Sequence, residues 1–231
     1  MDAVQFILHR KTTLAGALLP IPVYINGQYV GTIHNGKTLV ANVPHASVYY
    51  IEDKPFSEKN AVLYGDSRTV YRILLMRAGG WHTVSYNEFY IEQDGQPTPA
   101  PSFSFERLHS AIFENKMQKL SSTERVLALC IEFEYGLRDD IQEILASENL
   151  YSIAETLQNV GARQYAELLQ NILHTDFSDV PLPLGDEQIE EMKNKIKRAN
   201  EKVRNNRSAY NEFHKAFIRY LLCFLENERQ A

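Results

Sequence analysis

Three prolines stand at alternate positions in the run Asp94-Gly95-Gln96-Pro97-Thr98-Pro99-Ala100-Pro101-Ser102. Each fixes its own φ and lacks a backbone donor, so the run favours extended polyproline II over ladder or helix. The hydrophobic period changes across it. Upstream, short apolar runs are separated by Asn-Gly, Gly-Gly and Asp-Gly, and downstream the apolar residues recur every three or four positions. This predicts an α+β chain of two domains: an antiparallel β-sandwich over residues 1–96, a proline-rich linker over 97–104, and an all-α helical bundle with a long final helix over 105–231. With 231 residues, 44% of them hydrophobic, each part is large enough to bury a core.

In the first part, Val23-Tyr24-Ile25-Asn26-Gly27-Gln28-Tyr29-Val30 predicts a hairpin, because Asn-Gly suits a type I′ turn with positive φ at both central residues. Asn35-Gly36 is a second turn, leading into Lys37-Thr38-Leu39-Val40. Ser47–Ile51, Thr69–Met76, His82–Tyr86 and Glu88–Ile91 are further strands, with turns at Gly79-Gly80 and Asp94-Gly95. The order of Pro22, the Val23–Gly31 hairpin, Asn35-Gly36 and Pro44-His45 resembles the PEGA-like small β-sandwiches over about residues 5–60, with Pro44-His45-Ala46 where that family has a Pro-Gly turn. The resemblance implies a non-catalytic binding or spacer module.

His9, His34, His45 and His82 are scattered, without the close pairing of a zinc site, so no metal or other cofactor is expected. The aromatics Tyr49, Tyr50, Tyr64, Tyr71, Trp81, Tyr86, Phe89 and Tyr90 are what a sheet uses for cross-strand packing. A carbohydrate-type stacking platform is the alternative.

In the second part, Phe105, Leu108, Ile112, Phe113 and Met117 mark a first helix. Ser121-Ser122-Thr123-Glu124 is a capping box that opens the next. Gly136 and Gly161 interrupt the helical period, which predicts helix, corner, helix, corner, helix between Glu124 and Leu173. After a loop over Phe177–Gly185, one long helix is expected from near Asp186 onward.

Glu132-Phe133-Glu134-Tyr135-Gly136-Leu137 and Leu157-Gln158-Asn159-Val160-Gly161-Ala162 with Ala166 and Leu169 resemble two motifs of the DNA-mimic-like helical domains, a bacterial family. That resemblance implies a bundle acting through surface carboxylates that stand in for DNA phosphates. Charge distribution agrees in part: Glu106 to Glu191 holds six Lys/Arg against seventeen Asp/Glu, while Met192 to Arg219 holds nine against two. The expected interaction surface consists of Glu132, Glu134, Asp139, Asp140, Glu143, Glu148 and Glu155, offered to a DNA-binding or other basic protein partner.

The basic segment 193–207 is the competing feature, a phosphate-binding stripe for nucleic acid. Its charges are spaced around the helix, and nucleic acid is the less favoured partner. A homodimer is suggested by Tyr210, Phe213, Phe217 and Phe224, which a projecting helix would leave uncovered. No catalytic residue is expected. Cys130 and Cys223 both lie in apolar helical patterns and are read as buried free thiols. With neither a leader-like N-terminus nor an apolar run of about 20 residues, the expected location is the cytoplasm.

Overall fold

The computed structural model describes residues 3–13, 19–57, 59–78, 86–93, 95–114, 116–138 and 140–230. The predicted turn at Gly79-Gly80, most of the predicted strand His82–Tyr86, Trp81 and Asp139 lie outside the described residues. The chain divides into two compact units, residues 1–104 with 222–231, and residues 105–221. Strands fill the first unit and helices the second, with a long final helix, so the chain is α+β.

The first unit contains two sheets. One has the order β4 (Thr38–Pro44), β1 (Ala3–Arg10), β7 (Val70–Ala78), β8 (Tyr86–Gln93), β9 (Gln96–Pro99); the other has β3 (Gln28–Ile33), β2 (Ile21–Ile25), β5 (Val48–Glu52), β6 (Ala61–Tyr64). Alternate residues of both, among them Phe6, Leu8, Val23, Ile25, Ile51, Tyr71 and Ile73, share one buried core, as the two-residue period of a half-buried strand requires. Phe6, Tyr49 and Tyr71 form its aromatic centre, with ring centroids 5.0 to 5.6 Å apart.

The β2–β3 hairpin turns at Asn26 and Gly27, with φ of 52° and 72°. Asn26 does more than turn the chain. Its Nδ2 donates to the Val48 carbonyl (3.1 Å) and its Oδ1 accepts from the Tyr50 amide (2.7 Å), which fixes the hairpin to β5. Asn35-Gly36 passes the chain from one sheet to the other, since β3 and β4 belong to different sheets.

Two expectations for this unit need correction. The sandwich is not wholly antiparallel, because β1 and β7 pair in parallel, with Phe6 opposite Tyr71. All of the second sheet lies between them in sequence, which provides the long crossover that parallel neighbours need. The expected linker is also partly strand: β9 pairs with β8, Thr98 opposite Ile91 and Pro99 opposite Tyr90. Consecutive amides of a strand point to opposite sides, so Pro97 and Pro99 both place their missing donor on the same side. β9 is an edge, and prolines are tolerated there.

In the helical unit α1 (Glu106–Phe113) is followed by α2 (Ser122–Arg138), α3 (Ile141–Leu145), α4 (Leu150–Val160), α5 (Arg163–Asn171), α6 (Asp186–Glu191), α7 (Lys193–Arg204) and α8 (Arg207–Gln230), whose residues from Leu222 onward belong to the first unit. The capping box forms as predicted: the Ser121 amide donates to Glu124 Oε2 (2.9 Å) and the Glu124 amide to Ser121 Oγ (3.3 Å). Gly161 ends α4 in the left-handed region, at φ 90°. Gly136 makes no corner and lies inside α2. A Cβ there would stand 2.3 Å from Ile144 Cγ1, so this glycine serves the close approach of α3.

The expected single helix from Asp186 is three. Asn205-Asn206 breaks it, and Asn206 starts α8 by accepting the Ala209 amide on Oδ1 (3.0 Å). α7 buries the stripe Ile196, Ala199 and Val203 and leaves Lys193, Lys195, Lys197, Arg198, Lys202 and Arg204 exposed. Its charge therefore covers one side rather than surrounding the helix.

α2 is the centre of the unit, with Leu127, Ala128, Cys130, Ile131, Phe133 and Leu137 all buried. Phe133 meets Tyr165 of α5 and Phe213 of α8, each at 5.2 Å and edge to face. Such pairs add about 0.5–1.5 kcal/mol beyond the area they bury. Of the aromatics that suggested a homodimer, Phe213 and Phe217 are fully buried, Phe217 faces Phe105, Phe224 packs edge-on to Phe103 in the first unit, and Tyr210 is half-buried.

Candidate functional site

Above the Phe133–Tyr165–Phe213 cluster, the helical unit opens into a cleft of about 430 Å³ lined by Glu134, Leu137, Arg138, Tyr165, Arg204, Arg207 and Tyr210. Four helices contribute. Glu134 and Arg138 are one turn apart on α2, a spacing that brings their side chains together. Arg204 and Arg207 flank the α7–α8 break, and Tyr210 follows one turn into α8.

Glu134 is 2% exposed. Its Oε1 accepts from Arg138 Nε (2.6 Å) and from the Tyr210 hydroxyl (3.1 Å). Among the described residues nothing donates to Oε2, which is buried as well. A buried carboxylate with one oxygen unanswered is costly, and burial pushes the Glu134 carboxyl above its ordinary value against the pull of Arg138, Tyr210 and His214. Burial first, then the Glu134 charge, raises the Tyr165 and Tyr210 hydroxyls, so both remain neutral donors. The Tyr210 ring lies parallel to buried His214, with centroids 6.5 Å apart.

The arginines are held differently. Arg204 Nη2 donates to the Arg138 carbonyl at the end of α2 (2.8 Å). The Arg207 side chain is exposed and makes no hydrogen bond or ion pair among the described residues. Among the described residues, three guanidinium groups and one carboxylate thus line one concavity. Their formal charges leave it at about +2, which favours an anion.

Of the seven carboxylates expected on an interaction surface, the six described ones do not all face solvent. Glu134 is buried in the cleft. Glu132 is half-buried, accepting from Ser147 Oγ and from Asn149 Nδ2 (3.0 Å), and burial raises its pKa. Asp140 caps α3 through the Gln142 amide (3.0 Å) and ties it to α7 through Asn200 Nδ2 (3.1 Å). Glu143, Glu148 and Glu155 are exposed, and Asp139 lies outside the described residues. An acid next to a helix corner satisfies buried donors as readily as it faces water, and charge counting along the chain does not separate the two.

The cleft is not among the sites expected from the sequence. Its sequence signals were the Glu134–Arg138 spacing and the pair Arg204 and Arg207 on either side of Asn205-Asn206. Cys130 is buried as expected, and burial pushes its thiol up to about 12. Cys223 is exposed, contrary to the expected burial. Among the described residues no group of three or more His, Cys, Asp or Glu could hold a metal ion. No described helix is long and apolar enough to cross a membrane.

Comparison with known proteins found no family model, no curated protein and no solved structure that matches this chain. The two resemblances therefore rest on the residues quoted for them, and the functional reading rests on the cleft.

Proposed function

We propose that the chain is a non-catalytic recognition protein whose helical unit holds an anionic group of a partner protein in the arginine-lined cleft. The observation that carries this reading is the convergence of Arg138, Arg204 and Arg207 on one concavity where Glu134 is the single carboxylate among the described lining residues. Guanidinium forks bind oxyanions through paired, charge-assisted hydrogen bonds, and a partly enclosed site strengthens each of them. A buried thiol held neutral is a poor nucleophile, which favours recognition over covalent chemistry.

The exposed bases of α7 extend positive potential away from the cleft and steer acidic partners toward it, an effect that weakens with salt. The acidic surface expected from sequence retains only Glu143, Glu148 and Glu155 among its described members, a thin field for a basic partner.

The test is binding of the full chain to matched acidic and basic peptides at two salt concentrations. Acidic peptides should bind, more weakly at high salt, and Arg207→Glu should abolish the binding. Preference for the basic peptides would overturn the reading.

A further inference from the structure

We infer that the group taken by the cleft is a phosphomonoester, held by its three terminal oxygens between Arg138, Arg204 and Arg207. This rests on the anion-binding reading above and narrows it from anions in general to one head group. Three observations carry it: the number and origin of the guanidiniums, the charge balance, and the space.

The guanidiniums come from three places, the last residue of α2, the last of α7 and the first of α8. A planar carboxylate has two oxygens and is filled by one or two forks. A tetrahedral phosphoryl group offers a third oxygen in a third direction, so three arginines that do not share one helix suit it better. Two of the three are placed by the protein itself: Glu134 Oε1 holds Nε of Arg138 at 2.6 Å, and the Arg138 carbonyl holds Nη2 of Arg204 at 2.8 Å. Arg207, whose side chain has no polar partner among the described residues, is the one that an incoming anion would order.

Among the described lining residues three cations and one carboxylate leave two positive charges, and a phosphomonoester carries about −1.5 to −2 at neutral pH, against −1 for a carboxylate. The cleft's roughly 430 Å³ falls in the range of small-molecule sites and exceeds what a bare oxyanion fills, so the ester's organic body has room beside Leu137 and the Tyr165 ring. A phosphorylated small molecule and a phosphorylated side chain of a protein present this same head group.

The experiment titrates the full chain, by calorimetry and by amide chemical shifts, with glycerol phosphate, a phosphoserine peptide, the glutamate version of that peptide, and succinate. The phosphomonoesters should bind at least tenfold tighter than the two carboxylates, with shifts centred on Arg138, Arg204 and Arg207. The tighter of the two phosphomonoesters identifies the source. Affinity should rise as pH passes through the ligand's second ionisation near about 6. Arg207→Ala should weaken phosphomonoester binding at least tenfold, and Arg207→Lys should restore part of it. Since Arg207 is exposed, neither change threatens the fold.

Equal binding of carboxylates and phosphomonoesters would overturn the inference and leave the anion-binding reading intact. Absence of binding by all four ligands would overturn both.

Discussion

Gly136 of α2 lies so close beneath Ile144 of α3 that a Cβ at position 136 would sit 2.3 Å from Ile144 Cγ1 and 2.8 Å from its Cδ1. A glycine inside a helix ordinarily costs about 1 kcal/mol relative to alanine, so on propensity alone Gly136→Ala should stabilise. Overpacking a filled core costs about 1–3 kcal/mol, and Ile144 is 1% exposed with nowhere to move. Sterics should win. We expect Gly136→Ala to lower the urea midpoint, and the double variant with Ile144→Ala to lose less than the two single losses combined. A simple additive loss would mean that the two residues do not compete for one space.

Asn206 separates α7 from α8 and caps the second with its side chain. Asn206→Ala should cost about 1 kcal/mol of stability, and Asn206→Asp should restore most of it, because both polar side chains serve as caps. Since this break positions Arg204 against Arg207, the alanine variant should also weaken anion binding. An unchanged anion affinity would detach the cleft from the corner that we hold responsible for it.

Asn26 combines a backbone role with a side-chain one. Asn26→Gly keeps the positive φ of the turn but deletes the hydrogen bonds to Val48 and Tyr50, so about 1–2 kcal/mol should be lost even though the turn residue is permissive. A neutral result in thermal unfolding would show that the turn alone fixes the hairpin.

Glu132 and Glu134 both have carboxyl pKa values raised mainly by burial. A carboxyl whose folded pKa lies above its unfolded value, near about 4.3, favours the folded state below that pH, and the benefit is lost as pH rises through the folded pKa. Glu132→Gln and Glu134→Gln remove this slope. From pH 4 to 7.5 the stability of each variant relative to the parent should therefore improve with pH, whatever constant offset the substitution brings. Parallel urea midpoints across that range would contradict the assignment.

The two thiols should differ sharply in reactivity. Cys223 is exposed, and Cys130 is buried with a pKa of about 12. Under native conditions an alkylating reagent should modify one thiol per chain, removed by Cys223→Ser, and two only after denaturation. Rapid native labelling of Cys130 would show that α2 opens more readily than its packing implies.

What could be read from the chain alone was local chemistry. Asn26-Gly27 specifies its own turn because positive φ at both positions is open to few residue pairs, and Ser121 with Glu124 closes a box within one helical turn. The shift from alternating to 3.6-residue periodicity likewise shows where strands give way to helices. Non-local partners decided the rest. The proline run contributes an edge strand because β8 is there to pair with it, and Gly136 is needed only because α3 crosses at that point. Glu134 turns inward because Arg138 and Tyr210 await it. The cleft draws on residues 134 to 210, and the packing of Phe133, Tyr165 and Phe213 holds its walls in place. Such convergence leaves no periodicity or fixed spacing in the sequence, because contact between distant residues is settled by burial energy summed over the whole unit.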